Sequence, residues 1–318
     1  MLDFFRSNKN ISNTPSVLSP MGEPLNTNYS GDYTENKKSP FSIYPGDSHK
    51  LILPLKRTSQ AEVDYLLDIG FIGDIENAIL TIANNLIYFT SHQVHQLLEI
   101  AGIRVDFKKI QYILKKLKDK SFLRQIEFFS ENNSEKKSSF KAYTLGQHGA
   151  GIFFARGSKA RLQGYIKEMP TANIKKALAA NQLLIAVMQS TNASFESLLC
   201  VFDKNDSKDN IIRPQAILQS NNETYFIECT RRTDGWVEDF KERLVRYKKV
   251  IDHYDTLNVK LSKVPSMIFI AEDFKHMLEI QKLTAQYNDI IKLFTYDLAI
   301  YELSLIHISE PTRQEAIS

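Results

Sequence analysis

Three stretches of helical apolar spacing, set close together and followed at once by two strand-like runs, most narrow what this 318-residue chain can become. In residues 75–86 the apolar positions are Ile75, Ala78, Ile79, Ile82, Ala83 and Leu86, one face of a 3.6-residue period. Thr90 or Ser91 can cap a second helix, which turns Val94, Leu97 and Leu98 inward and stops at Gly102. After a short turn, Asp106 can cap a third helix reaching about Asp119, with Phe107, Ile110, Ile113, Leu114 and Leu117 as its stripe. Residues 122–129 and 140–145 then read as strands joined by the polar tip 130–139. Strand alternation requires either Phe128 or Phe129 to face the interior.

Helix, short turn, helix and hairpin is the order of a winged helix-turn-helix, expected here over residues 51–157. The third helix would be its reading helix. Between Arg104 and Lys120 stand seven cations and two acids, a local +5 on a chain whose formal total is +3. Removing the apolar stripe leaves Lys108, Lys109, Gln111, Tyr112, Lys115 and Lys116 on the outer face. Lys108, Gln111 and Tyr112 suit bases or nearby phosphates, and Lys115, Lys116 and Lys118 suit phosphates. Lys136, Lys137 and Lys141 add charge at the wing. A lysine run also serves as a plain solvated face; its place in this helix order is what favours double-stranded DNA. His92 and His95 read as surface or core residues of the second helix, not as ligands.

Composition sets the outer bounds. Hydrophobic residues at 43% and charged residues at 24% are ordinary for a globular protein. Cys200 and Cys229, the only cysteines, have neither disulfide-framework nor zinc spacing, which fits a reduced, cytoplasmic setting. No apolar run approaches the roughly 20 residues of a spanning helix, so no membrane partner is expected. Residues 1–50, rich in Asn, Ser, Thr, Pro and Gly, read as a disordered leader, expected to be a plain tether, although Lys37 and Lys38 could touch DNA. Residues 303–313, LSLIHISEPTR, look like a translated sequencing adapter. Residues 303–318 are therefore set aside, with the natural frame expected to be interrupted near Glu302.

Residues 158–302 read as a second, mixed α/β domain. Helices are expected at 158–167, 173–189, 236–254 and 274–287, and strands at 198–202, 212–218, 224–229, 266–271 and 293–296. The strand 266–271 is expected to run parallel to its neighbour. A restriction-endonuclease-like site needs an acid at the end of one strand, then an acid, a spacer and a lysine on the next, the acids holding a divalent cation. Here Gln215 stands at the first position, Glu228 at the second and Thr230 at the lysine position. One of the three parts survives. Arg231, Arg232 or Lys241 could replace the lysine and Asp209 could add an acid, at other spacings. The simpler expectation is that Glu228 pairs with Arg231 or Arg232.

Together these motifs resemble the replication-relaxation family of plasmid and conjugative-element proteins, over roughly residues 75–297. The winged part is matched by the basic third helix and the ending Tyr143-Thr144-Leu145-Gly146-Gln147-His148-Gly149-Ala150, and Asn181 falls where the family helix often has Asn. In the second domain Arg213, Pro214, Glu228, Thr233 and Tyr247 match. Asp234 is conservative for Glu, and Arg243 stands where Lys is expected. Gln215 and Thr230 depart from the acidic residues of the pattern. The resemblance implies a winged helix followed by a nuclease-like domain, and a bacterial DNA-binding protein of plasmid replication, mobilisation or its regulation. With two acidic positions lost, the second domain is expected to be a non-catalytic platform with no cofactor. The rival readings are a Mg2+-dependent nuclease or nickase built on Glu228, and a protein-interaction adaptor that does not bind DNA. A homodimer on a palindromic site and replication or transfer proteins are the other expected partners.

Overall fold

The computed structural model describes residues 39–53, 59–130, 140–190, 194–197, 200–204, 211–220, 223–261, 263–287 and 290–300. The fold is mixed α/β, in two compact units: Tyr44–Asn181, and Gln182–Ser318 with the described part of Met1–Ile43.

In the unit Tyr44–Asn181 the apolar stripes predicted from sequence supply most of the core, with Ile75 and Phe107 only partly buried. Helix α1 (Gln60–Asp68) is capped by Ser59 and precedes α2 (Asp74–Leu86), which buries Ala78, Ile79, Leu80, Ile82, Ala83 and Leu86. Helix α3 (Ser91–Ile100) begins in a capping box, with Thr90 accepting from the Gln93 N–H and Gln93 accepting in return. Gly102, at φ +77°, marks the turn after it. Asp106 caps α4 (Phe107–Asp119), which buries Ile110, Ile113, Leu114 and Leu117. Three antiparallel strands follow the order β1 (Ser48–Ile52), β2 (Leu123–Phe129), β3 (Phe140–Leu145). Phe128 is the buried one of the phenylalanine pair and stacks on Phe140 at 4.2 Å.

Several expectations for this region are corrected. Residues 48–50, read as leader, belong to strand β1, and Lys175, 1% exposed, pairs with Asp47 just before it. Residues 1–38, with Lys37 and Lys38, lie outside the described residues, as do 301–318. The β3 ending continues into a helix that the sequence did not announce, α5 (Gln147–Ala155). A helix was expected at 158–167, yet the chain there has no regular structure after Gly157 (φ +67°) ends α5. The division between units falls at Asn181, inside α6 (Thr171–Ser190), not at 157/158. On the Tyr44–Asn181 side, α6 buries Ile174, Ala177 and Leu178, Asn181 donates to the Tyr88 carbonyl at 2.6 Å and Gln93 donates to that of Leu178 at 2.8 Å.

The other unit contains a five-stranded sheet in the order β10 (Lys292–Tyr296), β9 (Ser266–Ala271), β8 (Glu223–Cys229), β7 (Ala216–Ser220), β4 (Ser194–Ser197). β4, β7 and β8 pair antiparallel, while β9 is parallel to both β8 and β10. Helix α7 (Trp236–Asp252) links β8 to β9, and α8 (Phe274–Thr284) links β9 to β10, the long connections that parallel pairing requires. Phe226, Phe240, Tyr247, Met267 and Phe269 share one buried cluster. The strand expected at 212–218 is interrupted between β6 (Ile211–Ile212), which pairs with β5 (Val201–Phe202), and β7. Pro214 stands in the gap and has no N–H to give a ladder.

Candidate nucleic-acid interface and the strand-end carboxylate

The cations of α4 divide into two sets. Its apolar stripe faces the core, so the opposite face is left to solvent. Arg104, Lys108, Lys109, Gln111, Tyr112 and Lys115 are all exposed, Tyr112 at 68%. None of these side chains makes a hydrogen bond or ion pair with the described residues. The second set is engaged. Lys116 donates to the Phe71 carbonyl at 3.0 Å, pairs with Glu76 at 3.0 Å, and lies 4.1 Å from the centre of the Phe71 ring. Lys118 pairs with Asp119 at 2.7 Å and Lys120 with Glu62 at 2.6 Å. Lys116, grouped at first with the outer face, is thus the lysine that holds α4 to α2. Its sequence neighbour Lys115 points away from that contact because adjacent helical residues lie about 100° apart.

Around the hairpin, Lys141 is exposed and 3.6 Å from Glu127. Lys136 and Lys137 lie outside the described residues. His92 stacks on Phe107 at 4.4 Å and His95 meets the same ring edge-on at 5.7 Å, which explains both as packing for the start of α4. A further strand contact escaped the sequence reading. Between α2 and α3, Phe89 exchanges backbone hydrogen bonds with Tyr143 at 3.1 and 2.8 Å, extending the sheet beyond β3.

At the end of β8 the motif residues come together differently. Glu228 is 1% exposed, and its Oε2 accepts from the Tyr247 hydroxyl at 2.8 Å. Its Oε1 lies 3.0 Å from Arg243 Nε, an ion pair by distance in which the N–H is not aimed at the oxygen. Gln215 accepts from the Cys229 N–H at 2.7 Å through Oε1, so its side chain closes the strand end. Thr230 is fully buried, and its hydroxyl has no partner among the described residues. Burial, followed by the Glu228 charge, pushes the Tyr247 hydroxyl well above its usual range. It therefore remains a donor to the carboxylate.

Arg231 and Arg232, expected on Glu228, are committed elsewhere. Arg231, 1% exposed, contacts both oxygens of Asp297 at 3.0 and 3.1 Å and donates to the Thr230 carbonyl. Arg232 pairs with Asp273 at 2.7 Å and Glu279 at 3.3 Å. Lys241 is exposed on α7, and Asp209 lies outside the described residues. Arg213 is exposed, Pro214 is buried, and the Thr233 carbonyl accepts from the Trp236 N–H at the start of α7. Trp236 itself packs on His276 at 4.6 Å. No group of three or more metal-ligating side chains suited to an ion occurs among the described residues.

No helix among the described residues is long and apolar enough to cross a membrane. Comparison with family models, with curated proteins and with solved structures finds no match to the chain.

Proposed function

We propose that the unit Tyr44–Asn181 is a winged helix that binds double-stranded DNA, with α4 as its reading helix. The observation that carries this reading is the outer face of α4, where Lys108, Lys109 and Lys115 stand exposed beside Gln111 and Tyr112 with no partner among the described residues. A plain solvated face also leaves lysines exposed and unpaired; the place of α4 in the helix order is what favours DNA. The order α2, Phe89 bridge, α3, α4, β2, β3 supports the same reading, because a short strand contact between the first two helices joins the hairpin on its β3 side.

In this reading Lys108, Lys109 and Lys115 bind phosphates, and Gln111 and Tyr112 reach base edges. The other unit is a nuclease-like fold used as a non-catalytic platform. Two antiparallel strands, a crossover helix and a parallel strand support that assignment, as does a strand-end carboxylate already facing a guanidinium and a tyrosine. The setting implied by the motif resemblance is replication or mobilisation of a bacterial mobile element.

Fluorescence anisotropy of the full chain with labelled duplex tests the proposal. Affinity is expected to fall with salt at roughly 0.9 log units per log unit of salt for each phosphate contact. Replacing Lys108, Lys109 and Lys115 together by Gln should flatten that slope by about 2.7. Absence of duplex binding at low salt would instead leave a protein-interaction module.

A further inference from the structure

The chain between α5 and α6 is irregular, yet its backbone is held at successive points. Asn84 donates to the Lys159 carbonyl at 3.1 Å and accepts from the Arg161 N–H at 2.7 Å. Arg161 reaches the Asn85 carbonyl at 3.2 Å, Arg124 donates to the Gln163 carbonyl at 2.8 Å, and His49 Nε2 lies 2.8 Å from the Ile166 carbonyl. Ile166 is buried as the apolar anchor. These anchors lie on β1, α2 and β2, so the strap is built independently of the α4 face.

With the backbone drawn inward, the side chains between its anchors are left outside. Tyr165 is 81% exposed, and Phe154, at the end of α5, is 63% exposed. Arg156, Lys159 and Lys167 are exposed among them, and the strap's one acid is Glu168, exposed beside Lys167 at its far end. The side chains of Lys159, Tyr165 and Lys167 make no hydrogen bond or ion pair with the described residues. Arg156 is oriented by a 2.7 Å hydrogen bond to Asn77. An exposed ring on a fixed backbone loses little conformational freedom when a flat partner stacks on it, and interleaved cations are what a phosphate chain requires.

We propose that this strap is a second nucleic-acid site, one that takes single-stranded DNA. Unpaired bases stack on Tyr165 and Phe154, and their phosphates meet Arg156, Lys159 and Lys167. A membrane-surface anchor would separate its apolar and basic residues onto opposite faces of a helix, whereas here they alternate along an irregular chain. The choice of DNA over RNA rests on the duplex reading of α4; the base-and-phosphate chemistry of the strap does not.

The test uses the full chain and a labelled oligodeoxythymidine of about 20 nucleotides at low salt. Binding is expected, weakened about 10-fold by Tyr165→Ala and held within about 2-fold by Tyr165→Phe. Replacing Lys159 and Lys167 by Gln should lower the salt slope by about 1.4. Duplex affinity should survive Tyr165→Ala and be lost in the triple α4 substitution, so failure of one site is distinguishable from failure of the other. The proposal is overturned by oligonucleotide binding that ignores Tyr165→Ala, or by no binding to the wild type. It is equally overturned by binding to oligouridine alone, or by sedimentation with anionic phosphatidylserine vesicles in place of the oligonucleotide.

Discussion

The outer face of α4 and the end of β8 are both charged, and they handle charge in opposite ways. On α4, Lys108, Lys109 and Lys115 have no counter-ion among the described residues, while Lys116 is matched by Glu76 and Lys118 by Asp119. At the end of β8 the buried charges meet protein partners: Glu228 with Arg243 and Tyr247, Arg231 with Asp297. Charge left in water costs little and remains available to a ligand. Charge taken out of water must be compensated within the fold. The first region leaves its cations in water, and the second pairs its buried charges within the fold.

The contrast is sharpest at Arg231. Asp297→Ala removes the carboxylate paired with the buried guanidinium and should cost about 3–5 kcal/mol in urea unfolding. A loss below about 1 kcal/mol would mean that this pair is not held out of water.

His276 gives the same region a pH signature. Burial, with Arg232 and Arg231 nearby, lowers its pKa to about 3 from an ordinary 6.5. The unfolded chain takes up a proton below pH 6.5 that the folded chain refuses until near pH 3. His276 therefore makes stability fall as pH drops through that window, by up to about 1.4 kcal/mol per pH unit. His276→Gln should remove that part of the slope in pH-dependent melts, and an unchanged slope would contradict its burial as a neutral ring.

Smaller effects follow elsewhere. At Gly149 a Cβ would stand 2.4 Å from the Phe122 carbonyl, so Gly149→Ala should destabilise by about 1–3 kcal/mol in the same assay. Arg243→Met should cost about 2 kcal/mol, and less when Glu228→Gln accompanies it. Strict additivity of the two changes would show that the pair is not coupled.

The parts of the fold legible in sequence were those written as periodicity. The stripes of α2, α3 and α4 announce themselves because one face of each is buried, and the run of β9 because it is apolar and buried on both faces. β1 is not legible, since Ser48, His49 and Lys50 show no apolar alternation and its pairing is set by β2. α5 is hidden by its two glycines, Gly149 and Gly151, although a Cβ at Gly149 would meet the Phe122 carbonyl. Side-chain partners were the least legible. Arg231 and Asp297 are 66 residues apart, and Glu228 meets Arg243 only because α7 folds back along the sheet. Composition alone could not separate Lys115 from Lys116, which needed the position of Glu76.

Those two lysines provide the most direct measurement: the salt dependence of duplex affinity for Lys115→Gln and Lys116→Gln in the full chain, each with its melting curve. Lys115→Gln should lower the slope by about 0.9 and leave stability within about 0.5 kcal/mol. Lys116→Gln should leave the slope unchanged and cost up to about 1 kcal/mol of stability. Equal slopes for wild type and Lys115→Gln, or a slope lost only in Lys116→Gln, would contradict the assignment of the outer face of α4 to DNA.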